Sequence, residues 1–100
     1  MNLVAITACP TGIAHTYMAA EQLEKTAKSL GHHIAVETQG AMGIENELPS
    51  AAIREADAVI LAVDIEVEGR DRFNGKKIIQ VTVQGAIRNP KGVLAKAGAA

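Results

Sequence analysis

The sequence predicts a single α/β domain, a four-stranded parallel sheet with helices on both faces, and three observations predict it. Four β-rich runs, Leu3–Thr7, Ile34–Thr38, Ala58–Val63 and Ile78–Val83, alternate with segments of helical periodicity. The first and third are almost continuously apolar, as expected of central strands covered on both sides. The chain has 100 residues, 48% of them hydrophobic, which suffices for one core and not for two. Strand–helix–strand repetition with short links makes the sheet doubly wound, with right-handed, Rossmann-like βαβ crossovers.

Each element has a local reason. Ile34, Val36 and Thr38 alternate with less apolar residues, which suits a strand with one face less covered. Between the first two strands a helix is expected over about Thr16–Leu30. Its apolar stripe is Tyr17, Ala20, Leu23, Ala27 and Leu30, with Glu21, Glu24, Lys25 and Lys28 toward water and Gly31 ending it. Pro49-Ser50 precedes a short helix, Ser50–Glu55. Asn89-Pro90 reads as an N-cap and a first-turn proline, opening a helix toward Ala97 that Gly92 weakens. Gly98-Ala99-Ala100 reads as frayed or linker-like. The expected division is therefore a domain at 1–90 and a helix or linker tail at 91–100, with no internal repeat.

Composition excludes several classes of function. Tyr17 and Phe73 are the only aromatics, so Ala, Val, Ile and Leu must build the core. A formal charge of −1 gives no general attraction for nucleic acid or anionic membrane. One cysteine allows no internal disulfide and suits a reducing cytoplasm. Met1–Ile6 lacks the basic start of a signal peptide, and no apolar run approaches the roughly eighteen residues of a membrane span. The expectation is a soluble cytoplasmic protein that neither enters the membrane nor binds nucleic acid.

In open parallel sheets, ligands bind beyond the carboxyl ends of the strands. The Cys9 loop, the Gln39–Gly43 loop and the Asp64–Asp71 loop should all emerge there. Cys9 opens the segment Cys9-Pro10-Thr11-Gly12-Ile13-Ala14-His15-Thr16, which runs from the first strand into the helix. Gly12 lets the chain turn, and the backbone N–H groups from Thr11 to Thr16 can ring a phosphate at the positive end of the helix. The same field favours the thiolate of Cys9. Pro10 donates nothing and stiffens the turn. The hydroxyls of Thr11 and Thr16 are further donors, although Thr16 is equally suited to be the helix N-cap. His15 either bonds the phosphate or thiolate or simply occupies the first helical turn. The bland alternative for Cys9 is a small buried hydrophobe at a strand end.

Other signals fall away. His32 and His33 are neighbours on a strand, so their side chains point to opposite faces and make a poor metal site. The acidic run Asp64-Ile65-Glu66-Val67-Glu68 reads as a solvated loop. There is no nucleoside-triphosphatase loop, no dinucleotide fingerprint and no Cys-x-x-Cys. No metal or other cofactor is called for. Cysteine phosphatases use Cys-x5-Arg-Ser/Thr, and here His15 and Thr16 stand at the arginine and hydroxyl positions. Losing arginine removes the bidentate clamp and its fixed charge. A phosphocysteine held by amides, without a water-activating group, should persist until an acceptor arrives, which leans toward phosphoryl relay.

The string Thr7-Ala8-Cys9-Pro10-Thr11-Gly12-Ile13-Ala14-His15-Thr16-Tyr17-Met18-Ala19-Ala20 resembles the phosphorylation loop of fructose-type enzyme IIB domains of the bacterial sugar phosphotransferase system. The similarity continues through Val36–Gly40, Gly43–Asn46, Ala56–Ile60 and Asp64–Val67 to Arg72-Phe73, over about residues 2–88. The resemblance implies a phosphotransferase without metal or nucleotide. Cys9 takes a phosphoryl group from a phosphohistidine of the IIA component and passes it to a sugar, fructose or a related one, held by the membrane-embedded IIC component. The carrier then works in the cytoplasm, at the inner face of the membrane through IIC. On this resemblance Cys9 is nucleophile and carrier, and Thr11, Gly12, Ile13, Ala14, His15 and Thr16 form the phosphate cradle. Arg72 and Phe73 are candidate partner contacts, against the alternative of an ion-paired surface residue and a core plug. The chain is expected to be a free-standing IIB or a domain of a longer IIB–IIC or IIA–IIB–IIC polypeptide. Two other classes stay open: a small cysteine phosphatase, with Asp64 as its only candidate acid, and a non-catalytic phosphate- or partner-binding module.

Overall fold

The computed structural model describes residues 1–10 and 13–99, Ile13 through its backbone only. The elements are β1 (Asn2–Ala8), α1 (Ile13–Ser29), β2 (His33–Gly40), β3 (Gly43–Glu45), α2 (Ser50–Glu55), β4 (Ala58–Val63), a 3-10 turn (Arg70–Phe73), β5 (Ile78–Val81), α3 (Val83–Arg88) and α4 (Pro90–Lys96). They make a sheet of order β3-β2-β1-β4-β5. β1 pairs in parallel with β2 and β4, and β4 with β5, whereas β2 and β3 are antiparallel. The four expected strands are the parallel ones. The sheet is nonetheless five-stranded, because Gly40 and Gly43 pair across a tight reversal and add a short edge. Three residues are too few to show a period of two in sequence.

Strand alternation divides the core. On one face Leu3, Ala5, Ala58, Ile60 and Ala62 meet α1, α3 and α4 through Leu23, Ala27, Ala86 and Leu94. On the other, Val4, Ile6, Val59, Leu61 and Val63 meet Leu48, Ile53 and Phe73. Small residues on the α1 side let the helix lie close, and Phe73 fills the thinner second layer.

Three local expectations need correction. α1 already begins at Ile13, so Thr16 is inside the helix and is not its N-cap. Tyr17 is 40% exposed, and Thr16 and Ala19 take its place in the buried stripe. The last strand stops at Val81, and Val83 opens a helix instead, because Thr82 Oγ1 accepts from the Gly85 N–H at 2.9 Å and caps it. A buried valine fits either element, so hydrophobicity alone could not separate them.

The end of α1 is as expected. Gly31 has φ 81°, and the His32 N–H bonds the Ala27 carbonyl at 2.9 Å while that of Gly31 bonds Lys28 at 3.1 Å. This is a Schellman closure, which needs the left-handed conformation that glycine adopts freely. The same closure ends α4, where the Ala99 N–H reaches the Leu94 carbonyl at 2.8 Å. Val93, Leu94, Ala97 and Ala99 are buried. The tail from Lys91 is therefore part of the core up to Ala99 rather than a frayed linker. Asn89 Oδ1 accepts from the Gly92 N–H at 3.1 Å. Asn89→Ala is expected to lower stability by about 1 kcal/mol in urea unfolding, with an unchanged denaturant slope.

Candidate functional site

After β1 the chain crosses through α1 on one face to reach β2, and after β3 it crosses through α2 on the other face to reach β4. The winding direction reverses at β1, and in such sheets the crevice at that reversal, beyond the strand ends, is the natural ligand site. Ala8 is level with Gln39 on β2 and Val63 on β4. Cys9 follows directly, and the Asp64 N–H donates to the Ala8 carbonyl at 3.0 Å. The three loops expected to meet do flank one point.

Cys9 is 9% exposed and packs against the α1-side core. Thr16 is buried in the first turns of α1, and its carbonyl accepts from Thr7 Oγ1 at 3.0 Å, which fixes the start of the helix over the end of β1. Ala14 and His15 are exposed on the same turns. Ile13 is the first helical residue, and Thr11 and Gly12 lie outside the described residues. Beside Thr16 is a cavity of about 10 Å³, room for one water, against the β2–β3 reversal. Thr38 lines it, and its buried Oγ1 has no hydrogen-bond partner among the described residues. The Tyr17 hydroxyl donates to Glu45 Oε1 across the mouth, and that acceptor raises the tyrosine pKa.

On the opposite flank is a polar cluster that joins Arg72, a candidate partner contact, to Glu37 and Gln39, two residues with no role assigned from sequence. Glu37 is fully buried on β2. Its Oε1 accepts from Arg72 Nη1 at 2.9 Å and from the Leu48 N–H at 2.9 Å. Its Oε2 accepts from Arg72 Nη2 at 3.0 Å and from Gln39 Nε2 at 2.7 Å. Burial acts to raise the Glu37 pKa, but the hydrogen bonds from Arg72, Gln39 and Leu48 outweigh it and hold the carboxyl below its ordinary value. Arg72 also donates to the carbonyls of Gly69 at 2.7 Å and Glu68 at 3.2 Å. Gly69 has φ 73°, and a Cβ there would lie 2.6 Å from Arg72 Nε, so glycine is required twice over.

The Arg72 guanidinium is committed to Glu37 and loop carbonyls, and Phe73 is completely buried beneath it, with the Arg72 Cζ 5.1 Å from its ring centre. Their surroundings are those of an ion-paired residue and a core plug. Asp64 is engaged too, its Oδ1 accepting from the Val83 N–H at 3.2 Å at the start of α3. One sequence signal could have found the cluster: a glutamate between Val36 and Thr38 in a strand must be paired if that strand is covered. Among the described residues no three His, Cys, Asp or Glu side chains group as metal ligands, and no helix is long and apolar enough to cross a membrane.

A family model described as "PTS system, Lactose/Cellobiose specific IIB subunit" matches residues 4–96. The chain is 55% identical over 97 residues to the "PTS system fructose-specific EIIB component" of Haloferax volcanii, covering 97% of this chain and 61% of that one. It is 46% identical over 95 residues to the "PTS system fructose-like EIIB component 2" of Escherichia coli K12, covering 95% and 90%. A crystal structure of a domain from the fructose-specific IIABC component of Borrelia burgdorferi superposes with a TM-score of 0.91 at 46% identity, over 95% of this chain and 90% of that one. The chain also spans 19% of an E. coli EIIBC relative and 15% of a Bacillus subtilis EIIABC relative.

Proposed function

The chain belongs to the enzyme IIB family of the sugar phosphotransferase system, and from that membership we propose that it is a phosphoryl carrier working through Cys9. The observation that carries the reading is the placement of the only cysteine at the end of β1, at the winding reversal, with α1 opening at Ile13 just behind it. In the first step the Cys9 thiolate attacks the phosphorus of an Nπ-phosphohistidine on IIA. The S–P bond forms as the N–P bond breaks, and the released imidazole takes up a proton. In the second a sugar hydroxyl held by IIC attacks the same phosphorus. The S–P bond breaks, the thiolate is restored, and the hydroxyl proton goes to solvent. The N–H groups and hydroxyls from Thr11 to Thr16, with the α1 dipole, hold the dianion. This chemistry uses no metal or nucleotide.

Relatives in which EIIB is joined to EIIC and EIIA support IIA and IIC as partners, and on this reading the chain works in the cytoplasm, at the inner face of the membrane through IIC. Fructose or a related sugar is the substrate this reading takes from the relatives' names, which differ from the lactose/cellobiose wording of the family model. The phosphatase alternative is weakened because His15 stands where its arginine clamp would be and Asp64, its only candidate acid, accepts from the Val83 N–H. The test is intact mass after incubation with phosphoenolpyruvate, the general phosphotransferase proteins and a fructose-type IIA. One phosphoryl adduct per chain, stable to acid and located at Cys9, is the expected result. A folded chain without adduct beside demonstrably phosphorylated IIA would leave a binding module.

A further inference from the structure

The loop that leaves β4 beside Cys9 is held in an unusual way. Among the described residues, Ile65–Glu68 belongs to no strand and has no place in a strand ladder. Instead the Gln39 side-chain amide stands in for a neighbouring strand. Its Nε2 donates to the Glu68 carbonyl at 3.1 Å, and its Oε1 accepts from the Glu68 N–H at 2.9 Å. The second Nε2 bond, to Glu37, fixes which way the amide faces. Gln39 is 7% exposed, so both bonds are sheltered from water. Because Gln39 is level with Ala8 and the loop begins at the Asp64–Ala8 bond, this pairing reaches from β2 across the end of β1, one residue before Cys9. Beyond it the segment turns Ile65 outward, 38% exposed, with Glu66 exposed next to it.

We infer that Gln39 is a positioning residue for phosphoryl transfer: its amide fixes the Ile65–Glu68 segment as the wall of the Cys9 site against which the phosphorylated donor protein seats. The inference rests on the carrier reading above. A donor that brings a phosphohistidine to a recessed cysteine must cover what flanks it, and this segment's placement depends on side chains rather than on a strand ladder. Loosening it should weaken docking and leave the chemistry at sulfur intact.

Gln39→Met keeps length and apolar volume and removes both bonds to Glu68 together with the one to Glu37. With phosphorylated IIA as the varied reactant, its KM for Cys9 phosphorylation is expected to rise about tenfold with kcat within about twofold. The end point stays at one phosphoryl group per chain, and the Glu68 amide exchanges faster with solvent. Ile53→Val, on α2 in the core of the same face, is the control that lowers stability and leaves KM unmoved. A wild-type KM in Gln39→Met, an equal rise in Ile53→Val, or a fall in kcat instead of a rise in KM overturns the positioning role. A wild-type chain that takes no phosphoryl group removes the carrier reading and this inference with it. A wild-type chain that is phosphorylated beside an unaffected Gln39→Met removes the inference alone.

Discussion

Cys9→Ser is expected to fold like the parent and to accept phosphoryl groups at least about a thousandfold more slowly. Serine is nearly isosteric with cysteine, and the site is recessed but not sealed, so the core should tolerate the change. The chemistry should not. A thiol is the better nucleophile, whereas an alcohol supplies almost no alkoxide at neutral pH. Two nearby carboxylates are engaged elsewhere: Asp64 accepts from the Val83 N–H at the start of α3, and Glu37 is locked in its ion pair. The measurement is a time course of intact mass with phosphorylated IIA, paired with urea unfolding of both proteins. A serine variant that matched the parent's transfer rate would mean that the sulfur is not the carrier. A non-catalytic module predicts no transfer by either protein.

The sequence was legible where its signals are local or periodic. Buried parallel strands write themselves as apolar runs, which is why Ala58–Val63 has the same limits in sequence and structure. Asn89-Pro90 and Gly31 mark helix ends through capping chemistry that acts within a few residues. The position of Cys9 could be inferred because a topological rule connects strand ends to ligand sites. What stayed hidden depends on distant partners. Glu37 and Arg72 are 35 positions apart, and only the fold makes one the counter-ion of the other. Gln39 likewise looks like an ordinary polar residue at a strand end until Glu68 is seen opposite its amide. The Val83–Arg88 helix was missed for another reason: strand-like apolar residues continue past Thr82, and a single capping hydroxyl decides against them.

Arg72→Met is expected to cost about 3–5 kcal/mol at neutral pH, a large share of the roughly 5–15 kcal/mol that stabilises a domain of this size. The Arg72 side chain is 25% exposed, but its partner Glu37 is not exposed at all. Methionine would retain the stem over Phe73 and leave a carboxylate in the core without its cation. Adding Glu37→Gln to Arg72→Met should then restore at least about 1 kcal/mol, since the second change removes the stranded charge. The pH dependence separates charge from packing. In the parent, the Glu37 pKa is lower folded than unfolded. Its contribution is therefore complete above the ordinary carboxylate value of about 4.3 and is lost as pH falls through the lower folded value. In Arg72→Met only the Gln39 and Leu48 hydrogen bonds still oppose burial, the carboxyl is better accommodated neutral than in the parent, and lowering the pH weakens the variant less than the parent. The gap in urea midpoint should thus be widest near pH 7 and narrow toward pH 4. A gap of constant size across that range would assign the loss to arginine packing on Phe73 and to the freed carbonyls of Glu68 and Gly69, and not to the buried charge.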